Sequence, residues 1–362
     1  MKILHCIAGI QKAAGTTTFC VRVAEESAKL GHEVAIVVMA KRPETDAKTA
    51  VLVLEWIPGT ELPFIPDVMH IHGLWTPWLS RVQHWAQAQG IKVVLSPHGM
   101  LAPWAMAHKR WKKMLPWMLY QKRNIRKADV IHVTSAQEER WVRDLGFTNK
   151  IIEVPLGTDL PSKTATHDFP VKYVVFVGRI YPVKGLDLLI KAWAQLKTRP
   201  EAQGWHAVLV GPNQAGHMEE LEALAASLGV TTRRGDVAGI EDADVTFTGP
   251  LYGEAKNEVV RKARLAILPS YTENFGGVVI DALALGVPVL ASSKTPWDRL
   301  AEAGCGASFE VNADVLVEHC IEWMRRTDTM RSDCGTLGKT LVASRYTWVA
   351  VGDKLTAVYV NL

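Results

Sequence analysis

Tyr271-Thr272-Glu273-Asn274-Phe275-Gly276-Gly277-Val278-Val279-Ile280-Asp281-Ala282-Leu283-Ala284-Leu285-Gly286-Val287-Pro288-Val289-Leu290 sets an acid in a turn, a glycine pair at a helix start, and a second acid eight positions after the first. The helix runs straight into an apolar strand. In open α/β sheets ligands gather outside the carboxyl ends of the strands, and helix N-termini offer free N–H groups to anions. The order of residues therefore puts two carboxylates and a row of backbone amides at one sheet mouth. Such a mouth suits a ligand with many hydroxyls and a phosphate, such as a nucleotide sugar.

Working outward, apolar runs of strand length alternate with amphipathic stretches of helix length. Strands are predicted at 3–7, 34–39, 68–71, 93–95, 130–133 and 151–154. A second series follows at 173–177, 207–210, 245–248, 265–268 and 287–291. Helices are predicted near 17–30, 186–196, 217–228, 278–285 and 348–360. Strand–helix alternation implies parallel sheets with right-handed crossovers. The fold class expected is α/β, with two Rossmann-like domains and a cleft between them. Pro155-Leu156-Gly157-Thr158-Asp159, followed by the polar stretch 161–168, reads as a linker. The domains expected are 1–165, which would bind the acceptor, and 166–345, which would bind the sugar donor. A C-terminal helix at 346–362 is expected to return to the first.

At 362 residues the chain is long for one core and comfortable for two. Residues 1–168 carry 21 Lys/Arg against 15 Asp/Glu, so the excess of positive charge lies in the first half. That asymmetry suggests different partners for the two domains. Five cysteines without a CxxC spacing fit a reducing compartment. The first apolar run is too short for a signal peptide and reads as a strand. No long apolar run lacks Gly, Pro or charge, so no membrane span is expected. The expected location is cytoplasmic, with room for a peripheral position on the inner face of the cytoplasmic membrane.

In Val177-Gly178-Arg179-Ile180-Tyr181-Pro182-Val183-Lys184-Gly185-Leu186, a glycine ends a strand and two cations flank a loop that opens a helix. A diphosphate needs a forked donor, a point charge and helical N–H groups, and all three are available here. The plainer reading is a surface loop with two solvated cations. Glu273 is placed to accept hydrogen bonds from vicinal hydroxyls, or else to cap the following helix. Asp281 interrupts an apolar run and must be paired or bind something, such as a ribose. Asn274, Phe275, Gly276 and Gly277 bring backbone amides close to the same spot.

Gly178-Arg179 with Lys184-Gly185, then Glu273-Asn274-Phe275-Gly276 and an acid eight residues after Glu273, resembles the family-four retaining glycosyltransferases of the GT-B fold. Their usual motif is Glu-x7-Glu, and this chain carries Asp281 in place of the second Glu. The resemblance implies that Arg179 and Lys184 bind the donor diphosphate, that Glu273 holds sugar hydroxyls and that Asp281 holds the ribose. It implies that Thr248 and Gly249 lie beside the nucleobase, with Gly211 in a nearby turn. In the first domain it matches Gly15, in Gln11-Lys12-Ala13-Ala14-Gly15-Thr16-Thr17, to a glycine loop that touches phosphate or acceptor. His98, in Ser96-Pro97-His98-Gly99-Met100, is matched to a sugar-contacting histidine; a satisfied loop histidine is the alternative. GT-B enzymes resemble one another in needing no catalytic metal, so no cofactor is expected.

Three other signals remain. His70-Ile71-His72 is a metal-pair spacing without a carboxylate cluster nearby. His72 and Trp75 are read instead as edge residues that hold the acceptor. Asp242-Ala243-Asp244 has the form of a metal-binding triplet, in an acidic loop where such triplets arise by chance. Residues 109–127 hold eight cations, no acid, and interleaved Trp, Met and Leu. Anionic lipid attracts such segments; packing within the domain is the competing reading, and a nucleic-acid partner is not expected. The function expected is retaining transfer of a sugar from a nucleotide sugar to a hydroxyl, on a growing cell-envelope glycan carried on lipid. A nucleotide-sugar epimerase and a non-catalytic nucleotide-sugar binding protein share the same donor features.

Overall fold

The computed structural model describes residues 1–10, 15–39, 49–165 and 169–362. The expected linker 155–168 is described only as far as 165, and 11–14 of the expected glycine loop lie outside the described residues. The chain divides into two compact units, Met1–Gly157 with Trp348–Leu362, and Thr158–Thr347. Residues 158–165, expected with the first domain, belong to the second unit because their backbone is bonded there. The Thr158 N–H donates to the Tyr346 carbonyl at 2.7 Å, and the Ala165 N–H to the Leu285 carbonyl at 2.7 Å.

The first unit is built on β1 (Lys2–Ile7), β2 (Glu33–Val38), β3 (Leu52–Glu55), β4 (Val68–His72), β5 (Lys92–Ser96), β6 (Val130–Val133) and β7 (Lys150–Glu153). They form one parallel sheet in the order β3-β2-β1-β4-β5-β6-β7. Runs such as Ala35-Ile36-Val37-Val38 are fully buried, as a parallel sheet covered on both faces requires. The strand order reverses direction between β1 and β4, which makes their carboxyl ends the ligand-prone edge.

The C-terminal helix Trp348–Val360 packs on the helix Gly15–Lys29 and on that sheet. Its Trp348, Val351, Leu355 and Tyr359 share a core with Ile3, Phe19, Val68, Val94 and Val130. Gly352 permits the approach: a Cβ there would lie 2.4 Å from Glu26 Cβ. The Ser27 and Thr356 hydroxyls then meet at 3.0 Å across the same contact.

The second unit holds β8 (Lys172–Val177), β9 (Trp205–Val210), β10 (Thr232–Arg234), β11 (Val245–Gly249), β12 (Leu265–Leu268), β13 (Val289–Ser292) and β14 (Gly306–Phe309). Their order is β10-β11-β9-β8-β12-β13-β14, again parallel throughout. Here the direction reverses between β8 and β12. The loops leaving those two strands are the ones that carry Arg179, Lys184 and Glu273.

Candidate functional site

In the second unit the chain leaves β8 at Gly178 and crosses to a short 3-10 turn, Pro182–Lys184, before the helix Leu186–Leu196. Gly185 joins turn and helix at φ 65°, and a Cβ there would sit 2.1 Å from the Pro269 carbonyl oxygen. Only glycine fits both the left-handed backbone and the close approach. That approach brings the β8 loop against the β12 loop, and the Tyr271 N–H donates to the Val183 carbonyl at 2.9 Å.

Across this seam Lys184 Nζ donates to Glu273 Oε1 at 2.5 Å, and Ser270 Oγ donates to the same oxygen at 2.7 Å. Both charged side chains are mostly buried, at 16% and 12% exposure. Glu273 is thus held by a cation and a hydroxyl rather than capping the helix Gly277–Ala284, whose cap position is Gly276 in a left-handed conformation. An ammonium has three donors, of which this pair uses one.

Arg179 is exposed and turns to Gln214 Oε1 at 2.9 Å, with its guanidinium over the Tyr181 ring. Asp281 is paired, as its apolar surroundings demand: it accepts from Thr158 Oγ1 at 2.7 Å and from Lys256 Nζ at 2.7 Å. Lys256 and Thr158 are partners that residue reading missed, because neither lies in a recognisable motif. Phe275 is buried edge-on against Trp297, whose indole N–H donates to the Phe275 carbonyl. Asn274 and Phe275 with Gly276 and Gly277 therefore form a loop fixed from below, with the helix N-terminus above it.

Gly211 leaves β9 with its N–H on the Gly249 carbonyl at 2.9 Å, while the Gly178 N–H bonds the Val210 carbonyl at 2.9 Å. Thr248 turns its hydroxyl to the backbone of Gly249, 3.0 Å away. These residues all lie at carboxyl ends of the central strands. In the acidic loop, Asp244 accepts from Lys197 and from the Thr231 N–H and hydroxyl, so it ties β10 to β11.

In the first unit, the parallel register sets His5 beside His70, and His72 beside Ser96. Residues two apart on a strand share a face, so His5, His70, His72, Ser96 and His132 gather beneath Phe19 and Tyr359. One chain runs from the Tyr359 hydroxyl to His70 Nδ1 at 2.5 Å, from His70 Nε2 to Ser96 Oγ at 2.6 Å, and from Ser96 Oγ to His132 Nδ1 at 2.6 Å. It ends where His132 Nε2 meets the Val154 carbonyl at 2.8 Å. A carbonyl only accepts, and each neutral imidazole has one N–H. Hence His132 donates to Val154, Ser96 to His132, His70 to Ser96 and Tyr359 to His70.

A second chain joins His5 Nδ1 to His72 Nε2 at 3.0 Å and His72 Nδ1 to His98 Nε2 at 3.1 Å. Burial holds all five imidazoles neutral, with His5 and His98 pushed down to about 3 and His132 to about 4. His70 and His72 are driven well below the ordinary value by burial first and by neighbouring imidazoles second. His5, Cys20 and His72 lie close enough to suggest a metal triad. The His5 and His72 nitrogens, however, are directed at one another, and burial raises the Cys20 thiol well above its usual value.

His98 sits in the loop after β5 at φ 51°. The following Gly99 N–H donates to Glu138 Oε1 at 2.6 Å, and Glu138 also accepts from the Thr134 N–H and hydroxyl. Glu138 is fully buried, at the start of the helix Ala136–Asp144, and its own N–H caps onto Ser135 Oγ. Residue reading missed this support; the Ser135-Ala136-Gln137-Glu138 capping-box spacing is the signal that could have found it. Gly15 begins the helix Gly15–Lys29.

His72, expected at an edge to hold the acceptor, is instead 1% exposed with both ring nitrogens bonded to other histidines, and Trp75 is held in a left-handed conformation at φ 72°. Its N–H donates to Gln121 Oε1 at 2.8 Å, and the Tyr120 hydroxyl donates to its carbonyl at 2.5 Å. Both partners lie on a π turn, Trp117–Gln121, inside the basic segment. That segment is helical, as Arg110–Pro116, the π turn and Lys122–Lys127. Its inner side packs through Gln121, Asn124 and Ile125, while Trp111, Leu115, Met118 and Leu119 are 65 to 77% exposed. Among the described residues no helix is long and apolar enough to cross a membrane.

Residues 63–157 match the family described as "Glycosyl transferase 4-like domain", and residues 171–325 match "Glycosyl transferases group 1". A D-inositol 3-phosphate glycosyltransferase of Nocardia farcinica is 30% identical over 329 residues, spanning 78% of this chain and 70% of that protein. Its namesake in Rhodococcus opacus is 34% identical over 174 residues, covering 44% of this chain and 36% of that one. Sucrose-phosphate synthase from Thermosynechococcus elongatus has a similar fold, with a TM-score of 0.77 at 20% identity over 99% of this chain and 98% of the other. HepE of Anabaena, in complex with UDP-glucose, gives a TM-score of 0.77 at 16% identity over the whole of both chains. Two seven-stranded parallel sheets, the matched regions in each unit and a relative aligned across most of the chain lead to one conclusion: this protein belongs to the group 1, family-four-like glycosyltransferases of the GT-B fold, and it is a glycosyltransferase.

Proposed function

We propose that the protein moves a hexosyl unit, with retention at the anomeric carbon, from a nucleoside diphosphate sugar to a hydroxyl of a growing, lipid-carried cell-envelope glycan. The observation that carries this reading is the Lys184–Glu273–Ser270 cluster where strand direction reverses between β8 and β12. It sets a cation for a diphosphate beside a carboxylate for sugar hydroxyls. UDP-glucose in the Anabaena HepE complex supports a nucleoside diphosphate hexose as the donor.

The leaving diphosphate gains negative charge as the glycosidic bond breaks. Arg179, Lys184 and the first N–H groups of the helix Gly277–Ala284 stabilise that charge in the transition state. Glu273 and His98 orient the sugar, and Asp281 holds the ribose while sharing Lys256 and Thr158. Thr248, Gly249 and Gly211 border the nucleobase, Gly15 meets phosphate or acceptor, and Trp75 serves the acceptor side. No metal takes part: the two cations and the helix amides supply the positive charge that a divalent ion would otherwise bring.

The basic segment supports a peripheral site on an anionic membrane. Trp111, Leu115, Met118 and Leu119 recur at successive turns on its outer side, and Lys109, Arg110, Lys112, Arg123, Arg126 and Lys127 are exposed around them. Each cation near an anionic surface contributes about 1 kcal/mol, and the aromatic and aliphatic tips enter the headgroup layer.

The test is release of nucleoside diphosphate, measured with and without lipid-linked glycans in EDTA. Product NMR then gives the anomeric configuration. Release that depends on acceptor and keeps the donor's configuration supports the reading. Consumption of donor without acceptor, inversion, or loss of activity in EDTA overturns the corresponding part.

A further inference from the structure

The chain His5–His72–His98 differs from its neighbour in one respect: among the described residues no carbonyl fixes its direction. Its rings meet end to end. Successive ring centres are 5.3 Å apart with planes 21° from parallel, as expected for in-plane N–H···N bonds at 3.0 and 3.1 Å. Three neutral imidazoles have three protons, and two of them fill the two bonds. Both bonds must then point the same way, and the third proton lies at one end or the other.

The two ends are unlike. At the inner end, His5 Nε2 is fully buried and has no partner among the described residues. At the outer end, His98 is only half-buried, and among the described residues its Nδ1 has no protein partner. A buried N–H without an acceptor forfeits a full hydrogen bond and is rarely tolerated, whereas a bare lone pair facing apolar surroundings is less costly. The third proton therefore belongs on His98.

We propose that His5 and His72 form a one-way imidazole relay that holds His98 as its Nδ1–H tautomer, so that the first unit offers an N–H donor, not an acceptor, to a hydroxyl oxygen of the transferred sugar. This rests on the reading of His98 as a sugar contact. His5 and His72 are positioning residues, since they act through His98. The order of donation is His5 Nδ1–H to His72 Nε2, and His72 Nδ1–H to His98 Nε2. Glu138 holds the next backbone N–H, so the loop is fixed in place while the relay fixes its protonation. The relay also gives a reason for a histidine at His5, deep in a strand where an aliphatic side chain would pack as well.

The decisive measurement is the tautomer, read from nitrogen-15 chemical shifts of histidine-labelled protein without ligand at neutral pH. His98 is expected to show a protonated Nδ1 and a bare Nε2, and His5 a bare Nε2. A His98 proton on Nε2 overturns the relay. In His72→Phe the donor to His98 Nε2 is lost. The His98 signals should move toward the Nε2–H form, and kcat should fall severalfold while KM for the nucleotide sugar holds. Unmoved His98 signals in folded His72→Phe also overturn the relay; if that variant does not fold, the wild-type spectrum decides alone. Should His98→Gln leave turnover intact although the wild-type tautomer is as expected, the sugar contact fails and the relay stands.

Discussion

Lowering the pH from 7 to 5.5 should remove a large share of the stability of the first unit. His5, His70, His72 and His132 are at most 1% exposed and are neutral in the folded protein. Burial lowers His5 to about 3 and His132 to about 4, and holds His70 and His72 well below the ordinary value. In the unfolded chain each titrates near 6.5. Below that value the unfolded state binds protons that the folded state refuses, so stability falls as pH falls. The loss begins near 6.5 and continues down to the folded values. Each histidine contributes a slope of about 1.4 kcal/mol per pH unit in that window. One unit below 6.5, the four together cost about 6 kcal/mol, against a typical domain stability of about 5–15 kcal/mol. Calorimetric melts in buffers of different ionisation enthalpy count the protons taken up on unfolding. Roughly four should be absorbed by the first unit at pH 5.5. A melting temperature unchanged between pH 7 and 5.5, with no proton uptake, would refute the claim that these imidazoles are buried neutral.

Tyr359→Phe removes the only donor to His70 Nδ1 among the described residues and should cost about 1–3 kcal/mol, seen as a lower denaturation midpoint with an unchanged slope. A midpoint within error of the parent would show that the C-terminal helix is not bonded to the histidine core. Lys184→Ala should abolish the thermal stabilisation given by the true nucleotide sugar, because it removes the cation beside Glu273; a retained shift removes Lys184 from the donor site. Trp111→Asp with Leu119→Asp should weaken sedimentation with anionic vesicles, leave turnover of a soluble acceptor unchanged, and show the same salt sensitivity as the parent at lower affinity. Equal vesicle binding by parent and variant would return the segment to a purely structural role.

The central strands were legible because each is a short apolar run bounded by turn residues, as at 173–177 and 265–268. Three strands were not: Leu52–Glu55, Thr232–Arg234 and Gly306–Phe309. All three are sheet edges, paired on one side only, so nothing demands a continuous apolar run. Local spacing likewise singled out Lys184 as a cation for a diphosphate, Glu273 as an acceptor for hydroxyls or a helix cap, and Asp281 as an acid in need of a partner. It could not say that Lys184 would pair with Glu273, or that Asp281 would pair with Lys256 and Thr158.

By itself, then, the sequence determined the alternation of strands and helices, the turn glycines and the acids eight residues apart, because these depend on neighbours within a few positions. Tertiary structure alone decided the partners. Parallel register placed His5 beside His70 and His72 beside Ser96, and thereby turned scattered histidines into two hydrogen-bonded chains. A contact between residues far apart in sequence leaves no local period to read, and an imidazole's proton is assigned only when the atoms around it are known.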